Sequence, residues 1–190
     1  RAHPGDNILS TLVHAHAAEG KLTQDELSAT AMLLLAAGFE TTVNLIGNGT
    51  ALLVNHPEQL ERLRADPSLW PRAVDEILRF DSPVQRTGRI AHRDTEVAGE
   101  RVGAGRLVMT LLGGANRDPE VFDDPQRFDV GRPNAGEHIA FSSGIHYCLG
   151  AGLARMEGEV GLRALFDRFP DLALHPREPG AEAVVDAGRE

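Results

Sequence analysis

The one cysteine of this 190-residue chain, Cys148, stands near two glycines and a histidine. Its segment reads Phe-Ser-Ser-Gly-Ile-His-Tyr-Cys-Leu-Gly from Phe141 to Gly150, and a helical pattern of apolar residues follows. A thiol where a loop meets a helix lies near unpaired backbone N–H groups and the positive end of the helix dipole, which both stabilise a thiolate. Glycines let a flat or bulky group approach the backbone. The pattern favours a reactive or ligating thiolate; the alternative is an inert buried thiol.

A second polar cluster lies inside a long apolar helical pattern, in the run Ala-Gly-Phe-Glu-Thr-Thr from Ala37 to Thr42. A glycine inside a helix costs about 1 kcal/mol relative to alanine. The hydroxyl of Thr41 can bond back to the carbonyl of Ala37, and such a bond predicts a loosened turn facing a pocket with a hydroxyl and a carboxylate. That arrangement would be a proton relay. Equally open is a regular helix that uses Gly38 for close packing and keeps Glu40 in solvent.

A third pattern, Glu76-Ile-Leu-Arg79, places an acid and a base three residues apart on one helix face. An exposed pair of this kind contributes little to stability. By itself it does not separate a surface ion pair from a buried one.

Composition restricts the function classes. The net charge is −9, which argues against nucleic acid as a main partner because phosphate contacts need clustered Lys and Arg. A lone cysteine excludes an intrachain disulfide and suits a reducing compartment. The longest apolar run, Ala31 to Phe39, is shorter than the roughly 20 residues that span a bilayer. These features predict a cytoplasmic protein without a membrane partner.

The elements that must position these residues are mostly helical. A capping box at Thr23–Glu26 opens a long helix that stops near His56-Pro57. Helices are predicted over 57–65, over 71–80 and from the cysteine segment to about 169, where Pro170 ends the last one. Short strands are expected over 86–110, with a turn at 98–100, followed by an ordered loop over 116–133. The tail from residue 175 predicts one strand and a frayed end. The expected fold is mainly α with a small β component, in a single domain over 1–190.

The three motifs resemble those of the cytochrome P450 family, the haem-thiolate monooxygenases. The family pattern Phe-Gly-x-Gly-x-(His or Arg)-x-Cys-x-Gly is matched by Phe141, Gly144, His146, Cys148 and Gly150. Ser142 departs from it, because glycine is usual there. If that position needs a positive φ, Ser142 carries backbone strain.

The resemblance implies haem b as cofactor, with Cys148 as the axial iron ligand. It implies that His146 and Arg89 hold haem propionates, for which a guanidinium is well suited. Thr41 and Glu40 would manage the delivery of protons to dioxygen, beside Ala37 at the haem. The pair Glu76 and Arg79 would be buried with a later arginine, best matched by Arg127, and would serve folding rather than the chemical step.

The resemblance also implies an activity. The parent protein would insert one oxygen atom of O₂ into a small organic substrate, by hydroxylation or epoxidation, with electrons from a ferredoxin or similar donor. The match covers only the C-terminal half of the family fold, so the N-terminal half is expected to be absent. Two alternatives stay open: a haem-thiolate enzyme that uses peroxide or couples phenols or rings oxidatively, and a non-catalytic fragment without stable haem.

Overall fold

The computed structural model describes residues 5–19 and 22–174, and helices make up most of it. The helices are α1 (Ile8–Glu19), α2 (Gln24–Asn55), α3 (Pro57–Ala65), α4 (Trp70–Phe80), α5 (Leu112–Ala115) and α6 (Ala151–Arg168). The strands are β1 (Thr87–Ile90), β2 (Thr95–Val97), β3 (Glu100–Val102) and β4 (Leu107–Thr110). Short 3₁₀ turns lie at Pro67–Leu69, Ala135–Glu137 and Gly144–His146. The prediction of a mainly α fold with a small β component is confirmed, while the expected tail from residue 175 lies outside the described residues.

Local sequence determines where α2 begins and ends. The hydroxyl of Thr23 accepts from the backbone N–H of Glu26 at 3.2 Å, and the Glu26 carboxylate accepts from the backbone N–H of Thr23 at 2.8 Å. This is the predicted capping box. The helix runs 32 residues to Asn55, and Pro57 then begins α3 because its fixed φ suits the first helical position.

The core lies where α2, α4 and α6 meet. Its fully buried side chains include Leu45 of α2, Ile77 of α4 and Leu162 of α6. Glycines allow α2 and α6 to pack closely: a Cβ on Gly49 would lie 2.8 Å from the Leu162 side chain, and one on Gly158 would lie 2.9 Å from the Leu45 side chain. The helix that follows the cysteine segment is therefore fixed against the helix that carries Thr41.

The strands form two antiparallel pairs. β1 pairs with β4, with Arg89 opposite Val108, and β2 pairs with β3. The predicted turn between β2 and β3 contains Ala98 and Gly99, both with positive φ (51° and 84°). The loop over 116–133 follows these strands, leads toward the cysteine segment and contains no regular helix or strand.

The first half of α2 presents apolar side chains to the surface of the described structure. Met32, Leu35 and Phe39 are 73%, 75% and 70% exposed. By length and composition alone, α2 is apolar enough to cross a membrane, with a mean hydropathy of 1.5 over 18 residues. The prediction considered only the uninterrupted run from Ala31 to Phe39 and therefore underestimated how apolar the whole helix is. The central helix of a larger protein core meets the same criteria of length and composition.

Candidate functional site

Cys148 lies in a closed loop just before α6. Its backbone N–H donates to the carbonyl of Phe141 at 3.0 Å, and the N–H of Tyr147 donates to the carbonyl of Gly144 at 3.1 Å. Gly150 immediately precedes the first residue of α6. The Cys148 side chain is a free, exposed thiol. The prediction of a thiol where a loop meets a helix is confirmed, and the alternative of a buried thiol is wrong for the described structure.

The surroundings of the thiol suit a flat apolar ligand with a soft metal. Ile145 and Leu149, three residues before Cys148 and one residue after it, are 97% and 100% exposed. Gly150 leaves one side of the Cys148 sulfur clear, where a Cβ would be in van der Waals contact with it at 3.9 Å. Thiolates are ligands for haem iron, and apolar side chains beside one can pack on a macrocycle. The residues present therefore fit a haem.

The polar cluster in α2 combines features of the two predicted arrangements, the loosened turn and the regular helix. The Thr41 hydroxyl donates to the Ala37 carbonyl at 2.7 Å, as predicted. The helix nevertheless continues without a break through this turn, so the expected loosening is wrong. A carbonyl oxygen has two lone pairs and can accept a hydroxyl beside the helical N–H. A Cβ on Gly38 would meet nothing within 4 Å, so among the described residues this glycine does not serve close packing. Glu40 is exposed, as the regular-helix alternative expected.

A shallow groove lies beside this turn, between α2 and α6. Its lining is mostly apolar and includes Phe39, Val43, Met156 and Val160. The hydroxyl of Thr42 donates to the Glu157 carboxylate at 3.2 Å across it. The polar turn of α2 is thereby tied to the helix that begins at the cysteine loop.

The two candidate propionate donors lie on different elements. His146 is in the cysteine loop, in its 3₁₀ turn, and Arg89 is on β1. Both are exposed. One Arg89 nitrogen, Nη1, donates to the Gly88 carbonyl at 2.8 Å, which orients the guanidinium along the strand. Neither residue is engaged in the core, so both suit contact with an added carboxylate.

The comparison with known proteins decides the family. The model of the cytochrome P450 family matches residues 2–179. The chain belongs to the cytochrome P450 family. It is 58% identical over 175 residues to cytochrome P450 140 of Mycobacterium tuberculosis, a match that covers 90% of this chain and 40% of that protein.

Two further P450 relatives bear on the length and the fold. The 6-deoxyerythronolide B hydroxylase of Saccharopolyspora erythraea is 50% identical over 175 residues, covering 92% of this chain and 43% of that protein. The structure of the tirandamycin C-bound P450 monooxygenase TamI matches with a TM-score of 0.87 at 47% identity, over 93% of this chain and 44% of that one. The chain therefore spans less than half the length of these relatives.

The P450 cysteine loop contains one strained residue. Ser142 has a φ of +63°, a left-handed conformation that glycine adopts more easily, and Gly144 has a φ of +65°. The sequence predicted strain at Ser142 if this position had a positive φ, and it does. A non-glycine residue pays about 1–2 kcal/mol for this conformation.

Ser142→Gly is expected to raise the free energy of unfolding by up to about 1 kcal/mol, because the relief of strain exceeds the extra chain entropy of glycine. Denaturant titration measures the change. Ser143→Gly is the matched control: Ser143 is extended, with a φ of −152°, so glycine there brings only the entropic cost and lowers stability. A lower stability in both variants would contradict strain at Ser142.

The P450 Glu-x-x-Arg pair is fully buried. Arg79 donates to both carboxylate oxygens of Glu76, from Nε at 2.7 Å and from Nη2 at 2.8 Å. Arg132 donates from Nε to the same carboxylate at 3.1 and 3.2 Å. The remaining guanidinium N–H groups reach backbone carbonyls of the 116–133 loop, those of residues 116, 123, 124, 125 and 127. The network ties this loop to α4.

The prediction that Arg127 completes the pair is wrong. The Arg127 side chain is 62% exposed and lies 3.6 Å from Asp129. Its backbone carbonyl takes part instead, accepting from Arg79 at 3.2 Å and from Arg132 at 2.9 Å. Arg127 and Arg132 lie five residues apart in one irregular loop, so no local pattern indicated which guanidinium turns inward.

Proposed function

We propose that the chain is the haem-binding half of a monooxygenase that inserts one oxygen atom of O₂ into a small organic substrate, by hydroxylation or epoxidation. The exposed thiol of Cys148 carries the proposal, because the loop presents a soft ligand to an open apolar surface. The family membership supports a haem monooxygenase. Haem bound there would supply oxygen activation, with the thiolate pushing electron density toward O–O cleavage.

In this proposal, separate residues of the chain hold the iron, hold the propionates and fix the cysteine loop. Cys148 would hold the iron of haem b through its thiolate. His146 and Arg89 hold the propionates by charge-assisted hydrogen bonds. The Phe141 carbonyl accepts from the Cys148 N–H at 3.0 Å and so fixes the backbone that presents the sulfur.

Thr41 and Glu40 carry protons to the reacting oxygen atoms. The Thr41 hydroxyl donates to the Ala37 carbonyl, and the lone pairs of its oxygen are available to accept a further hydrogen bond. Glu40 is exposed, so its carboxyl group faces solvent. In the proposed relay, protons pass from solvent through Glu40 and the Thr41 hydroxyl, with water between the two because adjacent residues on a helix do not share a face.

Thr41→Ala is expected to lower product formed per electron consumed by about 100-fold, the low end of what a positioned proton donor contributes. Thr50→Ala is the matched control. Thr50 is on the same helix and makes the same backward bond, to the Ile46 carbonyl at 2.7 Å, but lies outside the motif. Product and NADH consumption are measured together with a ferredoxin and its reductase. Equal coupling in the two variants would contradict the relay.

The proposed substrates are small organic molecules. Relatives include a 6-deoxyerythronolide B hydroxylase and P450 structures in complex with tirandamycin C and with testosterone. Because these three names differ, they do not narrow the substrate class further. A ferredoxin-type donor and a cytoplasmic location complete the proposal, in keeping with the bacterial relatives.

A second candidate concerns the 190 residues by themselves. The exposed apolar face of α2 favours a chain that does not hold haem stably alone, because such a face requires a covering partner. Elution of the isolated chain as a compact monomer with stoichiometric haem would contradict this candidate.

A haem titration followed by the reduced carbon monoxide difference spectrum tests the main proposal, first on this chain and then on the full-length enzyme that contains it. A strongly red-shifted Soret band supports thiolate ligation by Cys148. The lack of such a band in the full-length enzyme would overturn the monooxygenase proposal. Product formation with peroxide alone, but not with ferredoxin and reductase, would favour the peroxide-using alternative.

A further inference from the structure

One carboxylate on α4 contacts both sides of the cysteine loop. Asp75 accepts from His138 Nε2 at 3.2 Å and from Arg155 Nε at 2.7 Å, with the same oxygen, Oδ1. His138 precedes the loop by three residues, and Arg155 is on α6, after it. The three residues come from separate segments of the chain, and the His138 side chain is fully buried.

The hydrogen bonds assign the His138 proton. The backbone N–H of Ala140 points at His138 Nδ1 at 3.1 Å, so Nδ1 is the acceptor. Nε2 therefore carries the proton and donates it to Asp75. The ring also packs on Phe141, with centroids 5.6 Å apart. Asp75 thus fixes the segment that enters the loop.

Arg155 fixes the segment that leaves it. Its guanidinium lies over the Phe141 ring, 4.7 Å from the centroid, and Nη1 approaches the Tyr147 hydroxyl at 3.4 Å. Tyr147 is next to Cys148 in the chain. The Nε–H···Oδ1 bond to Asp75 orients the Arg155 guanidinium in the position from which it contacts both aromatic rings.

We propose that Asp75 is a positioning residue for Cys148, which acts through His138 and Arg155 to hold the loop in the geometry that presents the thiolate. The inference rests on the proposed function for the identity of the ligand it positions. Burial raises the pKa of Asp75, but the hydrogen bonds from His138 and Arg155 outweigh burial and leave that pKa below its ordinary value. The carboxylate is therefore ionised when it holds the loop.

The test compares Asp75→Asn with Asp129→Asn in the haem-loaded enzyme that contains this chain. Asp129 is a matched control, because it is also bound to an arginine at 2.7 Å, that of Arg62, and has nearly the same side-chain exposure, 23% against 22%. It lies in the 116–133 loop instead of beside the cysteine. A merely structural role predicts equal effects.

Hydrogen exchange of the amides over 139–148 is the first readout. We expect exchange about tenfold faster in Asp75→Asn, because the hydrogen bonds at both sides of the loop lose their charged acceptor, and near wild-type exchange in Asp129→Asn. The Cys148 amide, bound to the Phe141 carbonyl, is the key reporter. The second readout is the thiolate-type fraction of the reduced carbon monoxide spectrum, which should fall in Asp75→Asn alone.

If Asp75→Asn does not fold, Arg155→Lys provides the milder variant. It keeps a charge beside Asp75 but loses the planar contact with Phe141, so exchange should rise selectively over 139–148. Equal exchange in the test and control variants overturns the inference. A wild-type enzyme without a thiolate-type spectrum contradicts the proposed function instead. The exchange comparison is then made on the same enzyme and variants without haem, and it still decides whether Asp75 holds the loop.

Discussion

Replacing Cys148 with alanine in the full-length haem-loaded enzyme is expected to abolish the thiolate-type Soret band of the reduced carbon monoxide complex. Cys148 is the one cysteine of these 190 residues, so no second thiol within them can substitute for it. Loss of a residue that merely supports a metal ligand costs about 10–100-fold in affinity or activity. Loss of the ligand itself is therefore expected to lower monooxygenase turnover by more than about 100-fold. The spectrum and the turnover number are the two measurements.

Ser143→Ala is the control for the Cys148 variant. Ser143 is in the same loop, is exposed and has extended backbone, so its loss leaves the ligand and the loop geometry in place. The control should keep the thiolate-type band. A band of unchanged position and intensity in Cys148→Ala would show that Cys148 is not the ligand.

Glu76→Gln is expected to lower the free energy of unfolding by about 3–5 kcal/mol. The carboxylate is fully buried and binds two guanidinium groups, those of Arg79 and Arg132. An amide can accept from them but brings no charge, so two buried cations lose their counter-ion. Equilibrium denaturation followed by circular dichroism measures the loss.

An exposed ion pair with the same spacing along a helix provides the control. Glu61 and Arg64 on α3 are also three residues apart and in contact at 2.6 Å, but both side chains are exposed. Glu61→Gln is expected to cost less than about 1 kcal/mol, because exposed pairs contribute little. Similar losses in the two variants would contradict the view that burial, and not the pairing itself, makes the Glu76 network important.

The sequence predicted best what depends on neighbouring residues. The capping box at Thr23, the start of α3 at Pro57 and the bond from Thr41 to Ala37 join atoms within four residues. Each follows from local geometry and residue type. The cysteine loop was also predictable, because its residues are contiguous and Gly144 supplies the left-handed backbone at its turn.

Contacts between distant segments were not predictable in the same way. Arg132 and Glu76 are 56 residues apart, and His138 and Asp75 are 63 apart. Which arginine of an irregular loop turns inward depends on how that loop packs on α4, and no periodicity encodes this. The helix at Thr41 shows a different limit of sequence-based prediction. The local bond to Ala37 was predicted correctly, but its effect on the helix was not, because the helix continues without a break.

The way in which the buried arginines hold the 116–133 loop has an evolutionary consequence. Arg79 and Arg132 bind backbone carbonyls, which every amino acid has, so the side chains of the held residues are free to diverge. Arg127 illustrates this freedom, because its side chain plays no part in the network. Two of the held residues are exceptions. Asp124 has a φ of +45°, which restricts it to residues that accept a left-handed backbone. Asn116 is buried and its side chain donates to the Ser82 hydroxyl at 2.9 Å. Surface charge in this loop can therefore drift between relatives while its path stays constant.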